Sequence, residues 1–432
     1  MSDTVMQHRG IPGSQPAAIP VAAAKSAIQW RWPVTTALMT LVTLWMGLTS
    51  AGTSTFAMSG AAPHLTIPDM VVPARAFILV MAAGTLVVAI GVGWRAVGRQ
   101  SIRLWAVGIA AILFVLGFLS WVVAGTGSTM PVVRLLAGAL AFTVPLVFGA
   151  LSGVVCERSG IINLAIEAQM LFGAFLGAVL ASATGNAWLA LISAPVAGML
   201  ISTLLGLFTI KYRVDHIIVG VVLNMLALGL TSFLLAAVLS GANQRFNQPL
   251  SLRRLPIPGL CEIPVAGPVF FNQNILVYLM YAIVAGLQFM LFRSRWGLRT
   301  RAVGEHPKAA DTVGIKVNPL RWRNVLLGGA LAGLGGAMFT VGLGLAFSKN
   351  MVAGNGYIAL AAMILGRWRP TGAVAAAALF GFATNLGFII QTLNAPIPTE
   401  FVQMIPYLAT VLAVAGFVKS ARPPAAEGIP YP

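Results

Sequence analysis

Long apolar runs alternate with short polar connections along this chain. A bilayer core of roughly 30 Å is crossed by about 20 helical residues, and most of the runs have that length. The tenth run is shorter, which predicts a broken or tilted helix. We mark twelve segments, at residues 34–50, 76–93, 104–124, 134–154, 160–181, 187–210, 217–239, 275–292, 324–346, 357–366, 372–391 and 401–418.

These runs predict an all-α polytopic membrane protein with about 10–12 transmembrane helices. Backbone groups in lipid must be hydrogen-bonded within the protein, which leaves helices or closed barrels. Barrel strands alternate apolar and polar positions over about 10 residues, and the unbroken runs here do not. The composition agrees, at 58% hydrophobic and 9% charged residues. The 46 glycines suit helices that pack closely in lipid.

The pattern divides the chain into four parts. Residues 1–30 have little periodicity and predict a disordered cytoplasmic tail. Residues 31–130 carry the N-terminal transmembrane helices, and residues 131–420 carry a transmembrane core with a basic loop at 293–323. Residues 421–432 form a C-terminal tail, for which the same lack of periodicity also predicts disorder.

The distribution of Lys and Arg predicts the orientation. With the N-terminus inside, 21 of the 27 basic residues fall on the inner side. The outer side keeps Arg75, Arg134, Arg245, Arg253, Arg254 and Lys349. Because short cytoplasmic loops carry an excess of Lys and Arg, both termini are predicted to be cytoplasmic. The net charge of +17 is therefore interpreted as anchoring in membrane lipid, and no nucleic acid partner is expected.

The chain offers no recognisable catalytic or metal site. Its four histidines, His8, His64, His216 and His306, have no second ligand at a useful spacing. No Walker A sequence is present, and no set of nucleophile and base stands out. Cys156 and Cys261 are predicted on opposite membrane faces and are not expected to pair. We therefore predict a protein that is not an enzyme and holds no cofactor.

Three motifs resemble a known family. Residues 157–167 read E-R-S-G-I-I-N-L-A-I-E, and residues 301–305 read R-A-V-G-E. Residues 356–362 read G-Y-I-A-L-A-A and lead to G-R-W at 366–368. Over residues 132–418 the chain resembles permease subunits of ABC importers that serve branched-chain amino acids, simple sugars and nucleosides. The first motif is similar to the signature of the nucleoside branch, although Ala165 and Ala168 stand where that branch often has Gly.

The resemblance implies a type II importer-like permease in the bacterial cytoplasmic (inner) membrane. ATP would be bound by a separate cytoplasmic ABC ATPase. A second permease subunit, sister or identical, and an extracytoplasmic substrate-binding protein would complete the assembly. Residues 131–420 would be the permease core, and residues 293–323 the coupling loop. Nucleosides are the implied substrate, with purine nucleosides favoured; simple sugars or branched-chain amino acids are the alternatives within the family.

The second motif is similar to the loop that docks on the ATPase. Pro307 suits the first turn of a helix, where N–H groups lack intrahelical partners. We therefore predict a short helix over residues 307–312 that closes near Gly314, with two small alanines to let a partner groove approach. The predicted coupling residues are Arg301, Gly304, Glu305, Pro307, Ala309, Ala310 and Gly314.

Glu167 is the acid placed well inside an apolar run. A charged side chain in the bilayer costs at least about 2 kcal/mol unless it is paired, so it marks a functional site by default. It either contacts substrate or locks helices through Arg158 or backbone donors. Amides within the spans complete the predicted substrate pathway, although each also serves as interhelical glue. The pathway residues are Asn163, Glu167, Gln169, Asn224, Asn355 and Asn385.

Two other classes of transporter stay open. An ion-coupled secondary transporter uses acids, histidines or lysines inside the membrane, and Glu167 is the candidate for that role. A passive channel needs a filter sequence, and none is recognised. Dependence on an ATPase separates the importer from both.

Overall fold

The structure, a computed structural model, describes residues 30–59, 67–239, 245–393, 404 and 422–432. The described chain is mainly helical. Its α-helices are α1 (Arg31–Thr49), α2 (Ala74–Val97), α3 (Leu104–Val123), α4 (Val132–Glu157), α5 (Ile166–Thr184), α6 (Ala190–Gly206), α7 (His216–Val238), α8 (Ile275–Arg293), α9 (Arg295–Glu305), α10 (Pro307–Thr312), α11 (Val317–Ala337), α12 (Asn355–Leu365) and α13 (Pro370–Thr392). Wide π-helical turns cover Leu207–Lys211, Gly267–Phe271 and Met338–Gly342.

Within the described ranges, ten helices are long and apolar enough to cross a membrane. They are α1 to α8, α11 and α13, with α6 and α11 extended by their flanking turns. This confirms the polytopic helical class. Helix α12 has 11 residues, as expected for the short tenth segment. The predicted twelfth segment, apart from Met404, and the predicted tail at residues 1–30, apart from Trp30, lie outside the described residues.

The chain forms two compact units. The first holds residues 1–49 and 78–118, hence α1 and most of α2 and α3. The second holds residues 50–77 and 119–432. In the second unit, strand β1 (Thr53–Ala57) pairs antiparallel with β2 (Met70–Pro73) and parallel with β3 (Thr129–Pro131). Thr53 lies opposite Pro73, and Thr55 lies opposite Thr129. Strands β4 (Arg254–Pro256) and β5 (Asn272–Asn274) form an antiparallel pair.

Helices α4 and α11 form the core of the second unit. Helix α11 packs on α4, α5 and α6, and α4 also packs on α12 and α13. Glycines bring α6 and α11 into backbone contact. A Cβ atom at Gly198 would overlap the carbonyl of Gly329, and one at Gly333 would overlap the carbonyl of Ala194. Small residues therefore do what the composition predicts, which is to let helix backbones approach in lipid.

Two helix starts differ from the predicted segments. Helix α5 begins at Ile166 instead of residue 160, because Gly160 has a left-handed φ of 91° and ends the preceding helical path. Residues 158–165, here called the motif loop, therefore link α4 to α5 without helix. Helix α11 begins at Val317, well before residue 324. It includes Pro319 in its first turn, where no intrahelical donor is lost.

The expected disorder of residues 421–432 is wrong for the described residues 422–432. Ala426 donates its N–H to the carbonyl of Gly304 at 2.9 Å, and both Pro424 and Ala426 are buried. This segment consists largely of Ala and Pro and has no hydrophobic period of its own. Its contacts are made to distant parts of the chain, so the local pattern could not reveal them.

Candidate functional site

Two predicted pathway amides meet in a closed hydrogen-bond network. Gln169 donates to the Oδ1 atom of Asn163 at 3.0 Å and to Ser202 Oγ at 2.9 Å. Asn163 donates to Ser152 Oγ at 2.9 Å and to the Oε1 atom of Gln169 at 3.0 Å. All four side chains are fully buried. The network joins α4, α5, α6 and the motif loop, and it satisfies amides that would otherwise be costly in lipid.

The carboxylate of Glu167 caps the N-terminus of α12. Its Oε1 atom accepts the N–H of Gly354 at 2.7 Å, and its Oε2 atom accepts the N–H of Gly356 at 2.7 Å. The first N–H groups of a helix have no intrahelical partner, and the positive end of the helix favours an anion. A Cβ atom at Gly356 would collide with Glu167, so this approach requires glycine. Backbone donors, one of the two helix-lock partners considered above, therefore hold this acid.

Asn224 and Asn355 lie beside this cap, and Asn385 lies elsewhere. Asn224 accepts the N–H of Ala168 at 3.0 Å and donates to Tyr357 Oη at 3.0 Å. Asn355 bonds locally to the carbonyl of Val352. Asn385 is on α13 and donates to a carbonyl of α4, that of Leu135, at 2.7 Å. The structure thus brings five of the six predicted pathway residues together and separates Asn385.

The first and third motifs also meet. Glu157 accepts a hydrogen bond from Trp368 Nε1 at 2.6 Å. Arg158 donates to the carbonyls of Trp368 at 3.0 Å and Arg367 at 3.3 Å. Arg158 therefore does not pair with Glu167. Burial lowers the pKa of Arg158, and the carboxylate of Glu305 opposes that shift.

The basic loop folds as predicted around residues 307–312. Helix α10 begins at Pro307, and Gly314 follows its end with a φ of 85°. Ala310 is buried against Val303, Val317 and Leu320. It packs inside the chain, so of the two alanines expected to face a partner, Ala309 is the exposed one.

The remaining predicted coupling residues support this helix from α9. A Cβ atom at Gly304 would overlap the carbonyl of Arg158, so glycine lets α9 lie against the motif loop. Arg301 stacks its guanidinium 5.3 Å from the ring centroid of Phe292. Glu305 is exposed and accepts the N–H of Ala425 at 3.2 Å.

A groove of about 890 Å³ lies between α4, α8 and α13. It contains none of the predicted pathway residues. Its aromatic lining residues are Phe270, Tyr281, Phe289, Phe292 and Phe382. Among the described residues, Tyr281 Oη and Gln288 Oε1 are buried polar atoms without a hydrogen-bond partner, and both side chains line the groove.

The sequence pattern gave no sign of several of these groups. Tyr281 and Gln288 are seven positions apart on α8, which places them on one face of that helix, but the sequence does not show that a groove lies against this face. Tyr357 stands in the third motif, and the motif alone predicts no role for it. Its bond to Asn224 spans 133 positions, so only the fold reveals it.

Comparison with known proteins gives consistent matches. Residues 135–414 match the family described as "Branched-chain amino acid transport system / permease component". The chain is 39% identical to the guanosine ABC transporter permease protein NupQ of Bacillus subtilis, over 68% of this chain and 94% of NupQ. It is 39% identical to the nucleoside ABC transporter permease protein NupC of Lactococcus lactis, over 69% and 96%. It is 32% identical to the putative glucose ABC transporter permease protein TsgC13 of Haloferax volcanii, over 62% and 87%.

Replacing Glu167 tests the cap on α12. We expect Glu167→Gln to lower the free energy of unfolding by about 1–3 kcal/mol, because a charge-assisted bond is lost and an amide NH₂ faces a backbone N–H. Thermal unfolding of the detergent-purified protein measures the effect. Glu262→Gln, at an exposed carboxylate, is the control. Unchanged stability together with altered substrate affinity would favour substrate contact over the cap.

Proposed function

Because the chain belongs to the family of branched-chain amino acid transport system permease components, we propose that it is the membrane-spanning subunit of an ATP-driven importer of nucleosides, with purine nucleosides favoured. The ten candidate spans among the described residues, together with this family, make it a multi-pass protein of the bacterial cytoplasmic membrane. A permease of this kind is a transport component and not an enzyme. Hydrolysis of ATP belongs, in this proposal, to a separate subunit.

The similarity to two nucleoside permeases carries the choice of substrate. NupQ and NupC match at 39% identity over almost their whole length. The match to TsgC13, named for glucose, is weaker at 32%. Sugars and branched-chain amino acids are therefore the less favoured substrates.

The proposed assembly contains three further kinds of subunit. A cytoplasmic ABC ATPase would supply the energy, and an extracytoplasmic binding protein would deliver the substrate. A second permease, identical or a sister chain, would complete the membrane part. In this proposal both termini and the basic loop are cytoplasmic, which the uneven distribution of Lys and Arg supports.

Geometry supports α10 as the element that docks on the ATPase. The inner side of α10 is packed, because its residue Ala310 is buried. The preceding helix, α9, also lies against the motif loop at Gly304. The outer side of α10 is open, with Ala309 and Val313 exposed. A helix that is exposed on one side and packed on the other can transmit a movement of a bound ATPase to the rest of the permease.

An ion-coupled carrier is less well supported. Such a carrier needs an intramembrane acid that gains and loses a proton during transport. Glu167, the candidate from the sequence, has both carboxylate oxygens engaged by backbone N–H groups. Protonation of this carboxylate would weaken the bonds that cap α12.

Within the importer, the substrate has two candidate routes. The amides around Asn163 and Gln169 already bond each other, so they have little free capacity for a ligand. The groove between α4, α8 and α13 offers aromatic faces on which a planar base can stack, and two polar atoms that need partners. We favour the groove, and the edge of the polar cluster at Tyr357 is the second candidate.

The first test is uptake of labelled guanosine into vesicles that contain the permease with its ATPase and binding protein. We expect accumulation that requires the ATPase and is blocked by nucleosides but not by ribose or leucine. Competition by ribose or leucine would keep the importer and change its substrate. Uptake that persists without the ATPase would refute the importer and favour an ion-coupled carrier in which Glu167 is the candidate acid.

The docking surface is tested by Ala309→Trp. A bulky ring at a packed interface costs about 1–3 kcal/mol, so we expect ATPase binding and uptake to fall about tenfold or more. Membrane levels of the permease should stay normal, because Ala309 is exposed. Ala183→Trp, at an exposed alanine near the far end of α5, serves as the matched control. Full uptake by Ala309→Trp would remove α10 from the docking surface.

The route is tested by removing one hydroxyl at a time. Tyr281→Phe should raise the KM for guanosine uptake about two- to tenfold, the effect of one lost neutral hydrogen bond. Folding should be unaffected, because this hydroxyl has no partner among the described residues. Tyr357→Phe is the paired variant. A KM change with Tyr357→Phe alone would place the substrate beside Asn224 instead.

A further inference from the structure

The C-terminal segment at residues 422–432, here called the C-terminal strap, packs on the end of the second unit that carries α9 and α10. Its centre is a turn over residues 425–428, and Gly428 has a left-handed φ of 74°. Pro424 and Ala426 are buried, whereas Pro423 and Pro430 are exposed. The segment is therefore fixed by one face against the rest of the unit.

The strap closes the C-terminal end of α9. Ala426 donates its N–H to the carbonyl of Gly304 at 2.9 Å. The last carbonyls of a helix have no intrahelical partner, so the strap supplies one that α9 lacks. Ala425 donates to the carboxylate of Glu305 at 3.2 Å. Both contacts lie directly before Pro307, where α10 begins.

The strap also bonds the motif loop. Gly428 donates its N–H to the carbonyl of Gly160 at 3.1 Å. A Cβ atom at Gly428 would lie 2.9 Å from Ile162 Cδ1, so the turn sits close on the loop. Glu427 faces Glu157, and burial raises the pKa of Glu427, which favours its neutral form beside a second carboxyl group.

Arg321 ties the strap and the motif loop to α11. Its side chain is 1% exposed. Its Nε atom donates to the carbonyl of Ser159 at 3.1 Å, and its Nη1 atom donates to the carbonyl of Ile429 at 3.1 Å. A buried cation is costly unless it is hydrogen-bonded. These two carbonyls therefore hold the guanidinium at the junction of three segments.

A continuous path runs from the strap to the start of α12. The motif loop leads from Gly160 to Asn163, and Asn163 bonds Gln169 on α5. Two residues before Gln169 on α5, Glu167 accepts the N–H groups of Gly354 and Gly356. The strap and the motif loop therefore connect α9 to the intramembrane polar cluster.

We propose that the C-terminal strap is a positioning element that transmits movement of α10 to the motif loop, an inference that rests on the importer function proposed above. The strap bonds α9 on one side and the motif loop on the other, so the two move together. Without the strap, the ATPase would still dock on α10. The packing of Gly304 on the motif loop would remain, but the hydrogen bonds that join α9 to that loop through the strap would be lost, so movement of α10 would reach the membrane core poorly. Loss of the strap would therefore lower the amount of substrate imported per ATP and leave ATPase binding unchanged.

Two neighbouring prolines provide the test. Pro424→Asp buries an unpaired charge beside Gly304 and should detach the strap, because such a change costs several kcal/mol. Pro423→Asp makes the same change at an exposed position and is the control. Each variant is reconstituted with ATPase and binding protein in vesicles, and guanosine uptake and ATP hydrolysis are measured together. We expect guanosine imported per ATP to fall about tenfold with Pro424→Asp, while ATPase binding stays normal.

Other results of this experiment would overturn the strap proposal or the importer function on which it rests. Unchanged guanosine per ATP in Pro424→Asp would overturn the proposal, and so would loss of ATPase binding, since the strap would then serve docking. If Pro424→Asp does not reach the membrane, a chain that ends at Ala421 replaces it, and full coupling in that chain overturns the proposal. Absence of ATPase-dependent uptake in the unsubstituted complex would overturn the importer function itself, and the strap proposal with it.

Discussion

A carboxylate held by two backbone N–H groups organises the polar centre of the second unit. No water is present in a bilayer core to replace a missing hydrogen bond, so each buried polar group needs a partner in the protein. Glu167 stands in the first turn of α5, and its two oxygens reach Gly354 and Gly356 at the start of α12. This contact gives a short helix a fixed starting point inside the membrane. Asn224 bonds the same turn of α5 and extends the cluster to Tyr357.

Backbone contacts connect this centre to the α9–α10 end of the unit. Gly304 lies against the carbonyl of Arg158, and Gly160 accepts a hydrogen bond from Gly428. A contact between two backbones has no side-chain rotamer that could absorb a shift, and packed interiors transmit strain. The motif loop therefore lies between the α9–α10 end of the unit and the cap on α12.

Local signals and lipid constraints made much of the fold predictable. Apolar runs marked the spans, because every crossing helix needs about 20 of these residues. Both ends of α10 were predictable, because Pro307 favours the first turn of a helix and Gly314 favours a left-handed turn after its end, each through its own backbone. The partners of Glu167 were open, because a sequence does not mark which backbone N–H groups will be near. The burial of Ala310 was not predictable, because it is caused by residues of α9 and α11 that only tertiary packing brings against it.

The glycine contacts between α6 and α11 limit how this protein can change shape. Where Gly198 meets Gly329 and Gly333 meets Ala194, no layer of side chains separates the two helices. Shear motion between helices proceeds by small side-chain adjustments at their interface, and no side chain separates the backbones at these two contacts. We therefore expect helices α6 and α11 to move together. Opening and closing of a passage is then expected to be a hinge movement of the helices around this pair, and not a sliding between them.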